Sequence, residues 1–335
     1  MKRECRMGLV VVSLAACLAG PRAEAQAAGA LPRPDHVVVV INENKAYSSI
    51  IGSASAPYIN SLASQGALFT NSYAITHPSQ PNYLAFFSGS TQGCADDVVP
   101  PAGSPYSTPN LGSELLAAGF TFGGYSEDQP TVGYTGGGSG GYARKHNPWV
   151  DFTNVPSSDN LPYSSFPSAG SYDALPTVSI VVPNLVNDMH DAPVSTGDTW
   201  LRNNLDAYVQ WAQTHNSLFI LTWDEDDGSP SNHIATLFVG PMIKPGQYSE
   251  TINHYSVLRA LEDMYGLGHA GAAATAVPIA DVWTASAPPP PTGGNGGSSS
   301  GGGGGGGRCG AVGLDALFLM GLAILGFRLR RRLVS

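Results

Sequence analysis

The chain has 335 residues, enough for one large domain or two small ones, and its 12% charged residues, 41 Gly and 26 Pro describe a loop-rich globular protein. Nine of its 16 basic residues lie at the two ends, which leaves seven basic against 22 acidic side chains between residues 26 and 307. So acidic a body repels polyanions, and no nucleic acid is expected as a partner, whereas cations can be held.

In chain order, Met1–Arg6 is basic, Gly8–Leu18 is apolar and Ala23-Glu-Ala25 offers small residues for cleavage, the pattern of a secretory signal peptide over residues 1–25. Leu14-Ala-Ala-Cys17 also resembles a bacterial lipobox, and cleavage near Ala25 ranks ahead of it. Export to the cell envelope or outer surface, with release left open, follows as an expectation. The body begins with His36–Asn42 (HVVVVIN), a continuous apolar run expected of a strand buried on both faces, with Glu43-Asn44 at its end. Pro57–Gln65 reads as a helix closed by Gly66, and Leu68–Tyr73 as a second strand. Thr76-His-Pro-Ser-Gln80 is a polar turn. From Pro81 a helix follows, burying Tyr83, Leu84, Phe86 and Phe87 and leaving Ser79 at the positive end of its dipole. Leu111–Ala118 is predicted as a helix and Phe120–Tyr125 as a third strand. Residues 126–175 read as a long loop, within which Tyr142-Ala-Arg-Lys-His-Asn-Pro-Trp149 suits an anionic ligand.

Val178–Val182 is a further buried strand, followed by Asp188, His190 and Asp191. Asp198–Gln213 has helical spacing, Ser217–Trp223 is a strand ending in Asp224-Glu-Asp-Asp227, Ile234–Val239 is another strand after His233, and Tyr255–Tyr265 is a helix. Strands alternating with helices predict an α/β fold: a largely parallel central sheet with helices on both faces, one domain over residues 34–284. Residues 285–307 are a Pro/Gly/Ser linker, and residues 308–335 carry an apolar run to Phe327 and an Arg cluster, expected to reach the membrane as a C-terminal span. Linker, Cys309, span and arginines together resemble the C-terminal sorting tags of myxobacterial surface proteins, which leaves open whether the span is removed. The body holds one cysteine, Cys94, so no disulfide forms within it.

Three strands thus end in acidic or amide groups, and parallel strands bring such ends to one edge of a sheet. Carboxylates gathered there repel one another unless a cation lies between them. Their hard oxygens suit Mg, Ca or Mn, while the histidines keep Zn open. Each piece also has a plain structural reading: Ser79 as a helix N-cap, Glu43 as a strand-end cap, Asp224–Asp227 as a solvated turn, and His146, His190 and His233 as satisfied loop histidines. The coincidence of several polar clusters, each at the end of an apolar strand, favours a site.

Glu43-Asn-Lys45, Pro78-Ser-Gln-Pro-Asn-Tyr83, Arg144-Lys-His-Asn-Pro-Trp149, Thr222-Trp-Asp-Glu225 and Asn232-His233 resemble the phosphoesterase family, which joins bacterial acid phosphatases and phospholipases C of the phosphocholine type within the alkaline phosphatase superfamily. The likeness spans about residues 34–268. It implies one divalent metal ion held by Glu43, Asn44, Ser79, Asp224 and Glu225. It implies Ser79 as a nucleophile passing through a phosphoserine, with His146, His190 and His233 on phosphate oxygens or the leaving group. Asn82, Arg144 and Lys145, inside the shared motifs, are the expected substrate contacts; which of Asp188 and Asp191 faces the site stays open. The body is shorter than that expected of phospholipase C members, which favours a phosphatase acting on small phosphate monoesters over a phosphodiesterase. A sulfatase relative would need an oxidisable residue and an Arg, and Thr76-His-Pro-Ser-Gln80 has neither. A surface binding module without turnover is the alternative of another class, and oligomeric state is not readable.

Overall fold

The computed structural model describes residues 31–284; the expected signal peptide, linker and C-terminal span lie outside the described residues. The elements run β1 (His36–Asn42), α1 (Tyr47–Ile50), α2 (Pro57–Gln65), β2 (Ala67–Tyr73), α3 (Ser79–Ser88), α4 (Leu111–Ala117), β3 (Phe122–Ser126), β4 (Gly138–Ser139), β5 (Tyr142–Ala143), β6 (Asn160–Pro162), β7 (Val178–Val182), α5 (Val194–Ala212), β8 (Ser217–Trp223), β9 (His233–Val239), β10 (Gly246–Asn253) and α6 (His254–Tyr265). Eight strands form one sheet in the order β10-β2-β9-β8-β1-β7-β3-β6, and β4 and β5 make a separate small hairpin. Within that sheet only β9 runs against its neighbours β2 and β8; every other pairing is parallel.

β1 lies in the middle, bonded to β7 on one side and β8 on the other, which explains its unbroken apolar run. Its side chains alternate between two cores. Val37, Val39 and Ile41 pack with residues of α3, α4 and α6, whereas Val38 and Val40 pack with α2 and α5. The expected arrangement, a mostly parallel sheet with helices on both faces, is therefore the observed one. Because parallel strands share a direction, the ends of β1, β7 and β8 lie along one rim, and reversed β9 brings its first residue, His233, opposite Tyr73 at the end of β2.

Several boundaries differ from expectation. α3 begins at Ser79 rather than Pro81, and all ten of its residues are buried, so it is an internal helix rather than an amphipathic surface one. α5 begins at Val194, four residues before the apolar periodicity, and its first turns include Gly197, which packs against Met189. β10 (GQYSETIN) shows no apolar run because it is an edge strand bonded only to β2. The long segment 126–175 is ordered by the hairpin, by β6 and by short 3-10 turns. Trp149 within it lies so close over Gly124 that a Cβ there would stand 2.1 Å from the indole.

Candidate active site

Four carboxyls from distant parts of the chain meet at this rim: Glu43 after β1, Asp188 in the loop after β7, and Asp224 and Glu225 after β8, each no more than 4% exposed. The backbone ties these loops together, with the Glu43 N–H donating to the Asp188 carbonyl (2.8 Å) and the Asp224 N–H to that of Asn42 (3.0 Å). Asn44 takes a left-handed conformation (φ 45°), which folds its own N–H onto Asp224 Oδ1 (3.1 Å) and its side-chain amide onto Glu225 Oε1 (3.0 Å).

Ser79, the first residue of α3, puts its hydroxyl among them. Its Oγ lies 3.1 Å from Glu43 Oε2 and 3.2 Å from Glu225 Oε1, and its single proton serves one acceptor at a time. One helical turn on, the Tyr83 hydroxyl donates to Glu43 Oε1 at 2.5 Å. The Tyr83 ring stacks on His146 with centroids 5.0 Å apart. His146 Nε2 is 3.1 Å from Glu43 Oε1 and its Nδ1 3.7 Å from Asp188 Oδ2.

Burial dominates the electrostatics. It raises the Glu43 carboxyl well above its ordinary range, with Asp188 adding to the effect, and pushes Asp188 up to about 8. It also raises Asp224 strongly and Glu225 less so, and holds the His146 imidazole neutral by lowering its pKa. Asn44 Oδ1, His146 Nε2, Asp188 Oδ2 and Asp224 Oδ2 are all buried without a hydrogen-bond partner, so the His146–Glu43 approach is a near contact, not an aligned bond. Ligand atoms of Glu43, His146 and Asp188 all lie within 4.8 Å of one another. Neutral imidazole plus unpartnered carboxylate and amide oxygens is the donor set of a divalent cation site, so the residues present fit the metal that the resemblance implies.

The structure redistributes several expected roles. Asp188, not Asp191, faces the buried cluster; Asp191 lies outside it and bonds His190 Nδ1 at 2.7 Å. His146, expected on the phosphate, belongs to the candidate metal group. Asn82, expected on the substrate, spends its amide on the backbone of the turn before Ser79. Its Oδ1 accepts from the N–H groups of Ile75 and Thr76 (3.0 Å each), and its Nδ2 donates to the Thr76 and Pro78 carbonyls. Arg144 pairs with buried Asp151 at 2.6 Å and with the Thr135 carbonyl, so it braces the 135–151 segment instead of reaching a ligand. His233 lies flat between Tyr47 and Tyr73 with Nε2 at the Thr70 carbonyl (2.9 Å), and among the described residues it makes no hydrogen bond to Ser79 or the four carboxyls. Lys145 bonds Asp97 at 2.7 Å, and its positive charge opposes the rise in the Glu43 pKa. Sequence reasoning missed Tyr83, hidden as a core aromatic, although it stands four residues after Ser79 on the same helical face. It also passed over His77, whose Nδ1 is 2.5 Å from Glu225 Oε2.

Comparison with known proteins narrows the reading. The pattern describing the Phosphoesterase family matches residues 53–268. The chain belongs to the phosphoesterase family. The phosphatidylinositol-3-phosphatase of Mycobacterium tuberculosis is 51% identical over 278 residues, covering 83% of this chain and 92% of that one. The phosphate-repressible acid phosphatase of Penicillium chrysogenum is 33% identical over 229 residues, and there the match spans 64% of this chain and about half (55%) of the fungal one. Among solved structures, an alkaline phosphatase superfamily protein from Vibrio parahaemolyticus aligns with a TM-score of 0.54 at 15% identity over 74% of this chain and 71% of that one, a likeness of fold. This phosphoesterase is thus a hydrolase acting on phosphoric ester bonds, of acid-phosphatase type. No helix among its described residues is long and apolar enough to cross a membrane.

Proposed function

We propose that this phosphoesterase hydrolyses phosphate monoesters through a phosphoserine at Ser79. The observation that carries the proposal is the Ser79 hydroxyl at the first residue of a buried helix, 3.1 Å and 3.2 Å from carboxylates supplied by two different strands. A divalent metal bound by Glu43, Asp188, His146, Asn44, Asp224 and Glu225 would lower the pKa of the serine and neutralise the transferring phosphoryl group. The protein does the rest. Asn82 fixes the turn that aims Ser79, and Tyr83 fixes Glu43. The Ser79 proton passes to a neighbouring carboxylate as Oγ bonds phosphorus and the bond from phosphorus to the alcohol oxygen breaks. We assign His190, whose Nδ1 bonds Asp191, to protonate the departing alcohol and then to take a proton from the water that cleaves the Oγ–phosphorus bond, while the carboxylate returns its proton to Oγ and phosphate is released.

The mycobacterial relative's name specifies removal of a phosphate from a lipid headgroup, which is a monoester reaction. That supports a monoesterase over a phospholipase C-type diesterase, and phosphatidylinositol 3-phosphate is the first lipid to assay. The test is turnover of p-nitrophenyl phosphate, phosphatidylinositol 3-phosphate and phosphatidylcholine by the natural protein and by Ser79→Ala. Turnover of both monoesters, lost in the variant, is expected; preferential turnover of phosphatidylcholine would move the reading to the diesterase. We also propose export and surface retention through the two termini. A mature chain beginning near residue 26 in the envelope fraction is expected, and an intact N-terminus in the cytosolic fraction would refute it.

A further inference from the structure

Asp97 lies in the loop between α3 and α4, and its carboxylate is not idle. Oδ1 accepts the backbone N–H of Gln80, the residue after Ser79, at 3.0 Å. Oδ2 accepts from the Lys145 ammonium at 2.7 Å. One donor is the residue next to the nucleophile, and the shared carboxylate brings the other to it. The first belongs to the opening turn of α3, where an N–H has no partner within the helix, at the positive end of its dipole. The second is a cation whose charge reaches Glu43 and Asp224. The Gln80 side chain grips the same loop from beneath, its Nε2 donating to the carbonyls of Asp96 (3.0 Å) and Val98 (2.9 Å), one on each side of Asp97. The carboxylate is therefore held by a main-chain N–H and an ammonium beside the serine, a donor pair suited to two oxygens of a phosphoryl group.

We propose that Asp97 is an internal competitor for the substrate's phosphate: the phosphoryl oxygens displace its carboxylate from the Gln80 N–H and from Lys145. The inference rests on the reading of Ser79 as the nucleophile. Displacement is sterically open, because the Asp97 side chain is one-third exposed and turns into solvent, whereas Gln80 keeps the loop backbone in place. The exchange sets two limits. A weak or uncharged ligand does not dislodge the carboxylate, and inorganic phosphate, which must do so, leaves more readily than from a vacant cradle. Asp97 thus trades phosphate affinity for selectivity toward dianionic groups and for product release.

The test uses the metal-loaded natural protein together with Asp97→Ala and Asp97→Asn. Binding of inorganic phosphate is measured by calorimetry, and its competitive inhibition constant is measured in p-nitrophenyl phosphate turnover. Both variants are expected to bind phosphate roughly tenfold or more tightly, Asp97→Ala at least as tightly as Asp97→Asn, with KM for the monoester falling in parallel. Unchanged or weaker phosphate binding in both variants, with the natural protein active, would overturn the role of Asp97 alone. Full turnover by Ser79→Ala in the same assay would overturn the nucleophile assignment on which it rests. Lys145→Met completes the set. Weaker phosphate binding than in the natural protein is expected, and unchanged binding would contradict a shared donor pair.

Discussion

Two groups of buried carboxyls stand in this fold, and they differ in what surrounds them. At the sheet rim, Glu43, Asp188, Asp224 and Glu225 follow three different strands and enclose a serine hydroxyl, with a neutral imidazole among them. Between α4 and α6, Glu262 is fully buried and Glu114 is near it. Glu262 Oε1 accepts the Ala270 N–H at 2.8 Å, and the adjacent Asp263 is matched by His269 (2.8 Å) and Arg259 (3.5 Å). Burial raises the Glu262 carboxyl to about 8 and Glu114 to about 6. Raised carboxyl pKa values therefore do not by themselves mark a site. Convergence from separate strand ends onto a nucleophile does.

The largest expected separation between the two regions is in turnover. Ser79→Ala lowers kcat for p-nitrophenyl phosphate by roughly 10³-fold or more, whereas Glu262→Gln leaves it within about twofold; steady-state kinetics compare the two. Cation response is the next. A divalent metal raises the melting temperature of the natural protein and of Glu262→Gln, while Asp188→Asn weakens metal affinity by roughly 10–100-fold in calorimetry. Because the rim carboxyls must lose protons to bind it, metal affinity falls as pH is lowered, Asp188 being raised to about 8.

A smaller effect tests how the rim is aimed. Met189 between Asp188 and His190 is held at φ 82°, a conformation rare for a bulky side chain, and packs on Gly197, where an added Cβ would meet the Met189 side chain at 2.5 Å. Gly197→Ala is expected to cost about 1–3 kcal/mol in denaturant unfolding and to lower kcat, with Met189→Leu milder on both. The smallest concerns the second cluster. Glu262 has a folded pKa above its unfolded one, so its contribution to stability is full below pH 4.5 and is lost as pH rises through about 8. Glu262→Gln keeps the acceptor for Ala270, and on the order of 1–2 kcal/mol of stabilisation at pH 8.5, absent at pH 4, is expected from thermal melts.

The sheet was legible because strands buried on both faces, such as β1 and β8, are written as unbroken apolar runs with polar groups at their ends. β10 was not, since an edge strand alternates with solvent and carries no such run. The limit at the site is direction. Arg144, Lys145 and His146 are consecutive in one 3-10 turn, yet they reach Asp151, Asp97 and Glu43 respectively. Composition marked the segment as cationic, and only the folded turn sends the three side chains different ways. Asn82 shows the same limit: its motif position suggested a ligand contact, and its amide instead fastens the turn that presents Ser79.

The most direct test of the central claim is acid-quenched turnover of p-nitrophenyl phosphate by the metal-loaded protein, followed by peptide mapping. One phosphoryl group on Ser79, and none when that residue is alanine, is the predicted result. Rapid turnover with no phosphoryl group on Ser79, and equal turnover by Ser79→Ala, would contradict it.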